Sequence, residues 1–129
     1  MLDAFPQIIE PLYGNNWISI GDSSVAFDPI SGEGVGNALR GCILATAVLK
    51  GIASGMAPDR CLQYYDLRLR RALLQHVTQC ISFYSSAFAS EKWKEEIGLG
   101  AREKHDMDLL LPEKLDFRLQ GTNLAEVKQ

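Results

Sequence analysis

The stretch from Trp17 to Lys50, WISIGDSSVAFDPISGEGVGNALRGCILATAVLK, constrains this chain more than any other. It opens with a short apolar and β-branched run, Trp17 to Ile20, of the kind that suits a buried strand. The run ends in Gly21-Asp22, and Ser23 and Ser24 follow this tip. Val25 to Phe27 form a second short apolar patch, punctuated by Asp28-Pro29. Gly32 and Gly34 come next, and Ser31 or Gly34 starts a helix marked by Ala38, Leu39, Cys42, Ala45, Thr46 and Leu49. Gly51 and Gly55 are both suitable C-cap glycines for its end. The stretch CILATAVL is apolar nearly all round, which implies burial on more than one side. Ala38, Gly41, Ala45 and Ala47 are small enough for a neighbouring backbone or a flat ligand to come close. The order is therefore strand, acidic tip, glycine loop, helix. Such an order presents backbone N–H groups and the positive end of a helix dipole to something electron-rich.

The segments on either side are less specific. Met1 to Asn16 is apolar but broken by Pro6 and Pro11, so extended segments and turns are predicted, with Gly14-Asn15-Asn16 as a turn signal. Pro58-Asp59 opens a long helix running to about Ser90. Its apolar face comprises Leu62, Tyr65, Leu69, Leu73, Val77, Cys80 or Ile81, Tyr84 and Phe88. Arg68, Arg70 and Arg71 read as a solvated face before they read as a contact to a ligand or another domain. His76, near the apolar stripe, reads as a packed histidine rather than a base or ligand. Ser90 is the predicted N-cap of a short third helix that Trp93 and Ile97 dock and that Gly98 and Gly100 end. The remainder, from Arg102 to Gln129, is charged and irregular, although Leu115, Phe117 and Leu119 alternate as in a strand or a docking tail.

Composition excludes several classes. At 129 residues the chain is at most one ordinary domain, and 47% hydrophobic content places it among globular rather than disordered chains. A net charge of −3 gives no electrostatic footprint for nucleic acid or an anionic membrane. Cys42, Cys61 and Cys80 form no CxxC pair, which argues against a zinc site or a dithiol. An odd cysteine count without a leader segment fits a reducing cytoplasm. No uninterrupted apolar run approaches the roughly 18–20 residues that span a bilayer. His105, Asp106 and Asp108 superficially suggest a metal, but read as an exposed loop.

The ordered pattern in GDSSVAFDPISGEGVGNALRGCILA resembles the second flavin-binding motif of the glutathione-reductase-like FAD oxidoreductases. It is most similar to the branch of aromatic hydroxylases, geranylgeranyl reductases and flavin-dependent halogenases. Gly21, Asp22, Ser23, Ser24, Asp28, Pro29, Gly32, Gly34 and Ala38 fill the family positions in order, and Tyr65, Arg68, Tyr84 and Trp93 fit a weaker downstream pattern. The resemblance implies FAD as cofactor, with Gly21, Asp22, Pro29, Gly32, Glu33, Gly34 and Val35 lining it. Asp22 would accept hydrogen bonds from the ribityl chain, a charge-assisted contact. Pro29 would lie beside the ring. Glycines 32 and 34 would let the backbone approach it, with amides after Gly32 facing N1 and the C2 carbonyl. For Glu33, solvent exposure and a contact to the ring edge are both open. Arg40 reads as a solvent-facing arginine before a phosphate or substrate contact.

The family's GxGxxG βαβ unit, which holds the ADP part of FAD, is absent from this chain, as is its substrate-domain sheet. The Trp17 strand therefore wants partners from elsewhere. The expectation is a mainly α fragment of an α/β, glutathione-reductase-like FAD-binding fold. It would have one or two short strands, a buried glycine-loop helix, a long amphipathic helix and a short third helix. Residues 1–55 would be the C-terminal portion of the FAD-binding domain, 56–100 helices packing on it, and 101–129 an irregular tail. The partners implied are a missing N-terminal dinucleotide-binding region or subunit, a small-molecule substrate in the complete enzyme, and self-association through exposed apolar surface. No residue presents itself as a proton donor or nucleophile. The alternative is a non-catalytic helical interaction subunit derived from such an enzyme, with the helix from Pro58 as its binding surface.

Overall fold

The computed structural model describes residues 6–87, 91–112 and 115–127. Three helices make up most of it: α1 (Gly34–Ala53), α2 (Pro58–Ala87) and α3 (Glu91–Leu110). Before α1 come four two-residue strands, β1 (Gln7–Ile8), β2 (Tyr13–Gly14), β3 (Trp17–Ile18) and β4 (Val25–Ala26), with 3₁₀ turns at Gly21–Ser23 and Pro29–Ser31. After α3 comes a hairpin of β5 (Phe117–Gln120) and β6 (Asn123–Glu126).

The N-terminal strands differ from expectation. There are four where one or two were expected, and of the run Trp17 to Ile20 only Trp17 and Ile18 are strand, paired antiparallel with Tyr13 and Gly14 of the same chain across the Asn15-Asn16 turn rather than with a partner from elsewhere. Trp17 is 51% exposed and not buried. Its indole lies over Gly14, where a methyl group would come within 2.4 Å of the indole Nε1. Val25 and Ala26 pair with Ile8 and Gln7, so this segment meets its partner inside the chain.

Helix α1 begins at Gly34 and ends at Ala53, with Gly55 at φ +94° just beyond its cap. One face, including Gly41, Leu44, Ala45, Ala47, Val48 and Gly51, is buried. Tyr64, Tyr65, Leu69 and Leu73 of α2 complete the core with Leu12 and Val25. Tyr65 is fully buried, and its hydroxyl donates to the Ser19 carbonyl oxygen at 2.5 Å, tying α2 to the segment before the Gly-Asp tip. By length and composition, α1 is apolar enough to cross a membrane, although Arg40 and the glycines interrupt its apolar run. Here it packs on α2, on β6 and on the Gly21–Ser23 turn.

The third helix corrects the expected short one. It runs through Gly98 to Leu110. Each interior glycine costs about 1 kcal/mol relative to alanine, and packing along α2, with Met107 against the core cluster, outweighs that. Asp106 and Asp108 are exposed on this helix, and Asp108 pairs with Lys104 at 2.9 Å. The predicted cap Ser90, the apolar-face residue Phe88 and the Trp93 side chain lie outside the described residues.

The tail is likewise not irregular. Phe117–Gln120 pairs with Asn123–Glu126 through Gly121-Thr122, with Gly121 at φ +58°. A glycine with positive φ opening a two-residue loop is what a type II′ hairpin requires. The hairpin closes the far end of α1. A methyl group on Gly51 would meet Met56 Sδ at 3.1 Å and Leu124 Cδ1 at 3.4 Å. Phe117 is buried edge-on to Tyr64, with the Arg60 guanidinium 5.0 Å above its ring. The arginine cluster on α2 is tied internally rather than simply solvated. Arg68 donates to the Tyr64 hydroxyl at 3.1 Å, Arg70 binds Asp66 and Glu10, and Arg71 donates to the Pro112 carbonyl.

Tyr65→Phe keeps the ring and removes the hydroxyl that donates to Ser19. The expected loss is about 1–2 kcal/mol, read as a lower urea midpoint at unchanged m. An unchanged midpoint would show that this link does not hold the N-terminal segment to α2.

Candidate functional site

The Gly-Asp tip is a 3₁₀ turn, not the end of a strand. Ile20 is extended and Gly21 then switches to φ +60°, a conformation that side chains other than glycine rarely adopt. The Gly21 carbonyl accepts from both the Ser24 N–H (2.9 Å) and the Ser24 hydroxyl (2.8 Å). The turn rests on the small-residue face of α1. A methyl group on Gly21 would touch Ala38 Cβ at 3.4 Å, and one on Gly41 would lie 3.7 Å from the Gly21 nitrogen. This close seating leaves Asp22 exposed, and its carboxylate makes no hydrogen bond or ion pair among the described residues.

The next segment is organised by Asp28. Its Oδ1 accepts from the Ile30 N–H at 2.9 Å, an N-cap contact to the Pro29–Ser31 turn in which Pro29 is the first residue. The Asp28 carbonyl accepts from the Ser31 hydroxyl at 2.8 Å. Gly32 follows in the left-handed region, φ +64° and ψ 8°, with nothing within 4 Å of where a Cβ would stand. Glu33 is the N-cap residue of α1, but its side chain makes no capping bond. Instead it lies 3.8 Å from Arg40 in an exposed pair worth little energetically, so both side chains face solvent. The N–H groups of Gly34, Val35 and Gly36 have no acceptor among the described residues. Four N–H groups at a helix start lack an intrahelical partner, and three of them remain open here.

Gly32, Glu33, Gly34 and Val35 thus form one continuous exposed edge leading into α1, with Pro29 on the turn before it. Gly21 and Asp22 come to the same helix from a separate turn, through Ala38 and Gly41. An exposed carboxylate thus stands on a turn seated at Ala38 and Gly41, and open amides stand at the positive end of the same helix.

Sequence reasoning missed the support behind this edge. His76 Nε2 accepts the Asp28 N–H at 2.9 Å, and the Tyr84 hydroxyl donates to Asp28 Oδ2. The available signal was a run of side chains with polar atoms, His76, Cys80 and Tyr84, spaced by four along an otherwise apolar stripe. Among the described residues no cluster of three His, Cys, Asp or Glu side chains is suited to a metal.

The two loop glycines separate by stability. Gly32→Ala forces alanine into the left-handed region and should destabilise by about 1 kcal/mol. Gly34→Ala, in a helix with open space beside it, should be neutral or gain up to about 1 kcal/mol. Equal losses at both positions, read from denaturation midpoints, would contradict this geometry. Compared with protein-family models, curated proteins and solved structures, the chain shows no match.

Proposed function

We propose that this chain supplies the ribityl-facing and ring-facing half of the FAD site of an oxidoreductase. The resemblance points to the glutathione-reductase-like flavoenzymes that include aromatic hydroxylases, geranylgeranyl reductases and halogenases. The observation that carries the reading is the Gly21-Asp22 turn seated on α1, its carboxylate unpartnered, on the helix whose first amides are open. A carboxylate in that state is suited to accept from the hydroxyls of a ribityl chain. Open amides at a helix start are suited to the negative charge that a flavin ring gains on reduction. FAD, when bound, supplies the electron transfer. The residues of this chain orient it: Asp22 from the ribityl side, Pro29 and Gly32 to Val35 along the ring.

The ADP-binding half and the small-molecule substrate belong, on this reading, to a region or subunit outside these residues. The outer face of α1 supports a missing neighbour. Val35, Leu39, Ile43 and Leu49 share that face and are 77%, 62%, 43% and 51% exposed. The second reading, a non-catalytic interaction subunit, draws on the same stripe. It does not draw on α2, whose apolar face is covered by α1, α3 and the C-terminal hairpin.

The test is an FAD titration followed by fluorescence anisotropy, on this chain alone and joined to a dinucleotide-binding region. Asp22→Ala removes a charge-assisted bond worth about 1.5–3 kcal/mol and should weaken binding roughly ten- to a hundredfold. Gly34→Ala should also weaken it while leaving the fold intact. Full affinity in both variants would refute the assignment. Absence of saturable binding even in the joined protein would favour the interaction subunit.

A further inference from the structure

Asp28 and its neighbour Phe27 are held on α2 by three contacts. Its backbone N–H donates to His76 Nε2 at 2.9 Å. Its Oδ2 accepts from the Tyr84 hydroxyl at 2.5 Å, two helical turns further along. The neighbouring Phe27 ring stacks on the imidazole, with centroids 4.2 Å apart and planes 7° from parallel. His76 is 3% exposed, and its Nδ1 is buried without a partner among the described residues. These contacts tie α2 directly to the segment entering the glycine loop.

We propose that His76 is the positioning residue of the glycine loop, and that it makes the loop's seating on α2 pH-dependent by holding Asp28 only as a neutral imidazole. An imidazole that accepts an N–H through Nε2 carries its proton on Nδ1. Protonation converts Nε2 into a second donor facing the Asp28 N–H, and the bond is lost. Tyr84 and the Phe27 stack then hold the segment without the backbone contact that fixes where Pro29 begins its turn.

The charged surroundings agree with a neutral ring. Burial pushes the His76 pKa below the ordinary histidine value, while the carboxylates of Asp28 and Glu33 pull more weakly the other way. On α2 itself, Cys80 Sγ lies 3.4 Å from Nε2. Its thiol is pushed up to about 11, first by burial and then by Asp28 and Glu33, so it stays uncharged. Burial and the Asp28 carboxylate likewise keep the Tyr84 hydroxyl protonated. No described side chain of α3 bonds to or pairs with His76. Because the folded pKa lies below the unfolded value, the stabilisation is complete above about pH 6.5. It is lost as pH falls through the folded pKa, where the unfolded chain binds more protons.

The consequence for flavin rests on the function proposed above: acid would loosen Pro29 to Gly32 and lower FAD affinity. The test separates the two ideas. In nitrogen-15 spectra of the whole chain between about pH 5 and 8, the Asp28 amide shift should follow the imidazole titration of His76 with the same midpoint. His76→Gln keeps an acceptor that does not ionise, so the Asp28 amide should hold steady over that range. His76→Leu should shift it at every pH. Tyr84→Phe, a milder change, should keep the titration of the Asp28 amide. A wild-type Asp28 amide indifferent to the His76 midpoint overturns the proposal, as does a wild-type shift in His76→Leu. FAD affinity that falls with acid in the wild type but not in His76→Gln supports both ideas. An Asp28 amide that titrates while no FAD binds at any pH retires the flavin reading and leaves the clamp standing.

Discussion

The small-residue face of α1 is the constraint on which the rest of the fold depends. Gly41, Ala45, Ala47 and Gly51 let three separate elements approach the helix closely. The Gly21 turn settles at Ala38 and Gly41, the α2 tyrosines fill the middle, and Leu124 of the hairpin reaches Gly51. Alanine and glycine contribute little buried area themselves. What they allow is burial of the larger partners, each worth about 1.5–3 kcal/mol when an aliphatic or aromatic side chain is fully withdrawn from water. Larger side chains at these positions would force the elements apart, because close-packed interiors have no slack to absorb them.

The same seating decides which polar groups are left over. Ser23, Ser24 and Ser31 turn their hydroxyls back onto local carbonyls, so the two loops are internally satisfied. Asp28 is satisfied from α2 and from its own turn. Asp22 and the first amides of α1 have no partner among the described residues, and they lie on elements that pack together.

Legibility followed chain distance. Turn chemistry was readable: Gly14-Asn15-Asn16 as a turn, Asp28-Pro29 as a turn start, and Gly55 as one of two candidate helix-ending glycines, the other, Gly51, lying inside α1. The long helix from Pro58 and its stripe were readable from period alone. Its expected end near Ser90 lies outside the described residues. The extent of α3 was misread, because local propensity at Gly98 and Gly100 lost to packing along α2. The hairpin was half seen. The alternation at Leu115, Phe117 and Leu119 suggested a strand, but Gly121-Thr122 was not recognised as a Gly-X turn. The support from His76 and Tyr84 to Asp28 joins residues 48 and 56 positions apart. No periodicity records such a bond.

The sequence by itself determined the turns at Asn15-Asn16 and Asp28-Pro29, the helices from Gly34 and Pro58, and that the first of these is apolar on nearly all sides. Those properties are local: φ preferences of glycine and proline, capping chemistry and a period of 3.6. Only the tertiary structure decided how that helix is shared. One face is buried by α2 and the hairpin, and the other is left open with Val35, Leu39 and Ile43. It also decided that the buried histidine is an acceptor for the loop rather than a packed ring alone. The physical reason is that burial and hydrogen-bond partnership belong to pairs of elements, and a pair exists only once the chain has folded back on itself.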